Sequence, residues 1–96
     1  MVDRQRIFQM LKDRGIPIHL NGFGYLLEGV ALGCESPGLL HGMLTKSLYP
    51  EIAKKFNVSW QSVERCMRNA IVHSAEPEHS PGSLIKEIIW TLKVEE

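Results

Sequence analysis

The stretch Tyr49-Pro-Glu-Ile-Ala-Lys-Lys-Phe-Asn-Val-Ser-Trp-Gln-Ser-Val-Glu-Arg-Cys-Met-Arg-Asn-Ala-Ile-Val-His-Ser74 reads as two helices joined by a tight turn. Pro50 suits a first helical position, where its missing N–H has no partner to lose and its φ is already helical. A short helix follows through Ile52, Ala53 and Phe56, and small Ala53 lies where two helices would cross closely. Asn57 is second only to Gly in tolerating the left-handed conformation that ends a helix. Val58 is a single apolar plug. Ser59 is a good N-cap, its hydroxyl accepting an orphan N–H of the next helix. That helix carries Trp60, Val63, Met67, Ala70, Ile71 and Ser74 on one face at a 3.6-residue period, with Cys66 flanking it. Gln61, Ser62, Glu64, Arg65, Arg68 and Asn69 point outward, with His73 near the end. The pair of helices has the pattern of a helix-turn-helix at about residues 49–74, whose outward side chains can hydrogen-bond base edges or phosphates. The plainer reading is a helical hairpin with a solvated polar face. Two arginines one turn apart on that face, Arg65 and Arg68, weigh toward nucleic acid.

The rest of the chain sets bounds on that reading. Ninety-six residues fit a single domain spanning 1–96. At 44% hydrophobic and 23% charged residues the composition is that of a globular protein, with core enough to fold without a metal or disulfide. The net charge is +0, which argues against a strongly basic nucleic-acid coat protein. The charge is nonetheless uneven. Residues 43–75 hold Lys46, Lys54, Lys55, Arg65 and Arg68 against Glu51 and Glu64, whereas residues 76–96 hold two lysines against five glutamates. The positive third coincides with the proposed helix-turn-helix, and a local patch is what phosphate contact requires. Cys34 and Cys66 lie far apart in no metal-type spacing, as suits thiols of a reducing cytosol; a disulfide between them stays open at this level. The N-terminus mixes charge into every turn, so no signal peptide is read there, and no apolar run approaches a membrane span.

Four further helices complete an all-α fold of five to six helices. Residues 3–13 form an amphipathic helix with Asp3 at its start, Ile7, Phe8, Met10 and Leu11 inward, and Gly15 ending it. Ile16-Pro-Ile-His-Leu20 is extended, because Pro17 disfavours helix at Ile16. Asn21 is expected to cap a second helix over about 22–33, carrying Tyr25, Leu26, Val30 and Ala31. Cys34-Glu-Ser-Pro-Gly38 is a turn, and Leu39–Leu48 is expected to resume helix with Leu40, Met43, Leu44 and Leu48 inward. After the polar loop at 76–82, Ser83 is expected to cap a last helix to about Val94. Its apolar face is Leu84, Ile85, Ile88, Ile89 and Leu92, with Trp90 to the side.

No other chemistry is legible. The histidines His19, His41, His73 and His79 pair with no ligand at metal spacing, and Gly22-Phe-Gly24 lacks the strand and the Gly-Lys-Ser/Thr of a phosphate loop. No Ser or Cys sits in a nucleophile motif, so no enzyme, cofactor or metal is expected.

The run Leu48-Tyr-Pro-Glu-Ile-Ala-Lys-Lys-Phe-Asn57, followed by Val63-Glu-Arg65, Arg68 and Ala70-Ile71, resembles the C-terminal effector domain of the stage-zero sporulation protein A family. Upstream, Ile16-Pro-Ile-His-Leu-Asn-Gly22, Tyr25-Leu26 and Leu44-Thr-Lys46 resemble it too, as does the last helix. The resemblance implies an all-helical DNA-binding domain of a response regulator, acting in transcription in spore-forming bacteria. It places the helix from Ser59 in the major groove, with Glu64 and Arg65 reading bases and Arg68 on the same surface. The set expected to meet DNA is thus Ser59, Gln61, Ser62, Glu64, Arg65, Arg68 and Asn69, with Lys54 and Lys55 on the supporting helix. Three departures from the family pattern stand out. Ser62 occupies a place where the family has Arg, the segment before the last helix is shortened to residues 76–82, and the phospho-accepting receiver that normally precedes the domain is not in this sequence, as expected either of an excised domain or of a natural receiver-less protein. The implied partner is double-stranded DNA, with RNA polymerase or a full-length relative beside it, in the cytoplasm and away from any membrane. The chain is expected to be a monomer or weak dimer, paired at most on DNA. The alternative is a receiver-less module or antagonist that kept the fold and binds a protein instead.

Overall fold

Asp3 starts the first helix by accepting hydrogen bonds from the backbone N–H groups of Gln5 and Arg6, at 3.0 and 3.2 Å. In the computed structural model, which describes residues 2–95, that helix is α1, Arg4–Asp13. It ends in a Schellman motif: Gly15, at φ +79°, donates to the Lys12 carbonyl and Ile16 to the Leu11 carbonyl. Ile16 is thereby buried against Leu11. The chain crosses to α2, Asn21–Glu35, then a 3-10 turn at Pro37–Leu40. Next come α3, Leu48–Phe56, α4, Trp60–Val72, and α5, Pro81–Glu95. Every element is helical, and α2 is the central one: α1, α3, α4, α5 and the 3-10 turn all pack on it. No helix among the described residues is long and apolar enough to cross a membrane.

The core is built from the inward faces of all five helices. Ile7 and Leu11, Leu26 and Val30, Leu48 and Ile52, Val63 and Met67, and Ile85 and Ile88 are each at 0% exposure. At about 1.5–3 kcal/mol for each large apolar side chain removed from water, this is the main term holding the helices together. The last helix buries Leu84, Ile85, Ile88 and Ile89 in this core, while Trp90 lies outside it at 68% exposure.

Several sequence expectations need correction. Leu39–Leu48 is not a helix: beyond the 3-10 turn the chain passes through Gly42 at φ +72° and a run of turns. That conformation breaks helical continuity, and Met43, expected inward, is 62% exposed. Hydrogen bonds from Ser47 Oγ to the carbonyls of Leu39 and Met43 tie this loop instead. Pro50 is the third residue of α3, not the first, and is tolerated because the first-turn N–H groups have no intrahelical acceptor. Asn21 is the first residue of α2; Leu20 holds the cap position and supplies no side-chain bond. Ser80, not Ser83, caps α5, its Oγ accepting from the Ser83 N–H at 3.2 Å, with Pro81 at the favoured first position. Val58 is no plug, being 39% exposed.

Candidate nucleic-acid interface

The turn between α3 and α4 follows from two residues. Asn57 adopts φ 56°, ψ 49°, and across it the Val58 N–H reaches the Ala53 carbonyl at 3.0 Å, closing α3 as the sequence predicts. Ser59 then caps α4, its Oγ accepting from the Ser62 N–H at 3.1 Å and donating to Ser62 Oγ at 3.1 Å. The two helices pack through buried Ile52 and Ala53 of α3 and Val63 and Met67 of α4. This arrangement is a helix-turn-helix whose second helix carries a polar outer face.

That face is a stripe of Gln61, Arg65, Arg68 and Asn69, all exposed. Glu64 and Ser62 flank it, each half-buried. Arg68 lies 3.9 Å from Glu64 one turn earlier, a loose pair that leaves the guanidinium 59% exposed. His73 is turned back on the helix, Nδ1–H donating to the Asn69 carbonyl at 2.8 Å. Beneath the edge of α4 the Tyr49 phenol is pushed up from its ordinary value by burial and by the Glu64 carboxylate, with Arg68 partly opposing.

The two lysines of the supporting helix separate. Lys54 points outward at 77% exposure and, among the described residues, pairs with Glu51 at 3.3 Å on its own helix. Lys55, 49% exposed, reaches across to Glu28 of α2 at 3.0 Å, sharing that carboxylate with Arg4 of α1. Burial would push the Glu28 carboxyl up; the hydrogen bonds from Arg4 and Lys55 outweigh it and hold the group below the usual carboxylate range. Nothing in the local sequence points to this pairing, because it joins residues 24 and 27 positions apart.

Two further features are absent from the sequence reading. Val72 closes the outward stripe at 59% exposure, a position that continuing the 3.6-residue phase one more turn identifies. Leu20, Asn21 and Gly22 at the start of α2 line a shallow groove with Arg65, Cys66 and Asn69. The approach there is extreme: a Cβ on Gly22 would fall 2.1 Å from the Cys66 carbonyl oxygen. Only contact between distant segments reveals this wall.

A helix-turn-helix set on a helical core, with arginines on the second helix, is the architecture the sequence resemblance implies. Residues 7–81, more than three-quarters of the chain, match the family described as sporulation initiation factor Spo0A, C terminal. The match takes in α4 and the turn before it whole and stops at the first residue of α5. The chain belongs to the Spo0A C-terminal family, the DNA-binding effector domains of sporulation regulators.

Proposed function

We propose that this chain is a sequence-specific DNA-binding transcription regulator that reads the major groove with α4. The observation that carries the reading is the outward stripe Gln61, Arg65, Arg68 and Asn69 on a capped helix, set by a tight turn on a shorter helix. Arginine at Arg65 suits bidentate recognition of guanine, and Gln61 or Asn69 suits adenine. Arg65 stands one turn into the helix, where recognition helices of this geometry contact base edges. Ser59 and Ser62 lie at the helix start, Glu64 beside Arg65, and Lys54 on the supporting helix within the charge that attracts phosphates. Lys55 belongs to the expected set by sequence and pairs with Glu28 of α2. The chemistry proposed is recognition, with no reaction.

The experiment is selection of duplexes from a random pool by the chain, followed by gel-shift titration of the selected duplex against a scrambled one. A recovered common site bound at least tenfold tighter than the scrambled duplex is the expected result. Equal, weak binding to both would direct attention to the second reading, a module that docks on a protein through the same face. Exposed Val72, set among the polar residues of that face, is the feature that favours it.

A further inference from the structure

Glu28 is the one buried charged residue among the described residues, and DNA recognition as set out above does not use it. Arg4 supplies two N–H donors to its carboxylate and Lys55 a third, so a single group on α2 ties α1 to α3. One turn earlier on α2, Tyr25 meets Phe56 edge-on with ring centroids 4.9 Å apart. Lys55 and Phe56 are the last two residues of α3, directly before the Asn57 turn that leads into α4. Both contacts therefore pin the same turn of helix. To reach a phosphate, Lys55, its own side chain 49% exposed, would have to leave a carboxylate that is 10% exposed and that Arg4 would still hold, a separation on the scale of a modest ion pair. Among the described residues, Lys54, its neighbour, has no such tie to another helix.

We propose that Glu28 is a positioning residue for the DNA-reading helix: through Lys55 it sets the last turn of α3 and hence the entry of α4. Lys55 is engaged by Glu28 at the surface of the fold, and α3 offers DNA one lysine without a partner on another helix, Lys54, rather than two. The consequence for DNA rests on the reading under "Proposed function"; the placement of α4 does not. The test therefore has two arms.

In the first arm, amide hydrogen exchange is followed without DNA in the wild type, Glu28→Gln, Lys55→Met and Lys55→Arg. Exchange across residues 56–62 should rise in Glu28→Gln and Lys55→Met relative to α5, and return toward wild type in Lys55→Arg, which keeps a cation on Glu28. A uniform rise over all helices, or none, would overturn the proposal whether or not the protein binds DNA. In the second arm, affinity for the selected and scrambled duplexes is measured against salt. Lys54→Met should make the log K versus log salt slope shallower by about 0.9, the expected loss for one phosphate contact. Lys55→Met should leave the slope unchanged while lowering the ratio of specific to random affinity about twofold to fivefold, the scale of a modest ion pair. Lys55→Arg should restore that ratio. A slope reduced by about 0.9 in Lys55→Met would make Lys55 a phosphate ligand and refute its role on Glu28. A wild type that binds neither duplex would remove the DNA-binding reading and leave the exchange arm to decide Glu28.

Discussion

Arg65 is exposed on the outer face of α4, and its five donors in a rigid fork suit two acceptors on one guanine edge. Arg65→Ala should cost about 1–3 kcal/mol of affinity for the selected duplex and much less for a scrambled one. Titration of both duplexes checks this, and equal losses would assign Arg65 to the backbone. Ser59 makes a different kind of contribution. Its Oγ holds the Ser62 N–H at 3.1 Å, so Ser59→Ala should lower unfolding free energy by about 1 kcal/mol in urea melts. Ser62, where the sequence resemblance implies Arg, is half-buried and its hydroxyl receives a bond from Ser59. Ser62→Arg should raise affinity for the selected duplex by about 1–3 kcal/mol through one regained contact. Selection with both proteins checks it: recovery of the same site at equal strength would place residue 62 off the interface.

The element most sensitive to a small change is α2, because its first turn lies against the backbone of α4. A Cβ on Gly22 would meet the Cys66 carbonyl oxygen at 2.1 Å and the Ala70 Cβ at 2.8 Å. Neither neighbour is the far end of a flexible side chain, so the helices must separate. Gly22→Ala should destabilise toward the upper end of the usual overpacking cost, about 1–3 kcal/mol, and should weaken binding to the selected duplex as well. Gly24, two residues on, has nothing near its position, and Gly24→Ala should leave the fold and binding intact. Thermal melts and gel shifts of the two variants test whether the α2–α4 contact, rather than glycine loss in general, is responsible.

Over the whole molecule, two charge clusters among the described residues tie distant segments, beside the Arg6–Glu95 pair at 2.6 Å that joins α1 to α5. Glu28 joins α1 to α3, and Glu87 of α5 takes Arg14 at 3.1 Å and His79 at 2.7 Å. Arg14 also reaches Glu76 at 2.9 Å, closing the C-terminal end of α1 onto the loop before α5. The Glu87 carboxyl is held below the usual carboxylate range by Arg14 first and His79 second, and Glu28 is likewise lowered. A depressed carboxyl binds fewer protons folded than unfolded, so its stabilisation is present above the usual glutamate range. It is lost as pH falls through that range toward the folded value. Urea midpoints should therefore drop between neutral and strongly acid pH, and Glu28→Gln should flatten the drop. The broad apolar face of α5 is buried in the chain's own core, leaving Trp90 and Val94 outside. The free protein should accordingly sediment as a monomer at micromolar concentration, and a stable dimer there would refute that expectation.

Local signals were enough for the helix-turn-helix and most of the fold. Asn57 and Ser59 act within a few residues of themselves, so their effect on the backbone can be read without knowing what lies across the core. The 3.6-residue phase likewise assigned the inner faces of α4 and α5, because burial of one helical stripe is periodic along the chain. The same phase misled at Leu39–Leu48, where apolar spacing suggested a helix and Gly42 at positive φ interrupts it. Sequence distance hid the rest. The division between Lys54 and Lys55 depends on a carboxylate 27 positions before Lys55, and the groove beside Arg65 depends on Gly22 meeting Cys66. Adjacent lysines with the same local context look equivalent until the packing of α2 sends one to solvent and the other to a buried charge. The sequence by itself determined the turn between α3 and α4 and the inner faces of α4 and α5; the tertiary structure alone decided the Lys55–Glu28 pairing, because pairing energy depends on separation in space rather than along the chain.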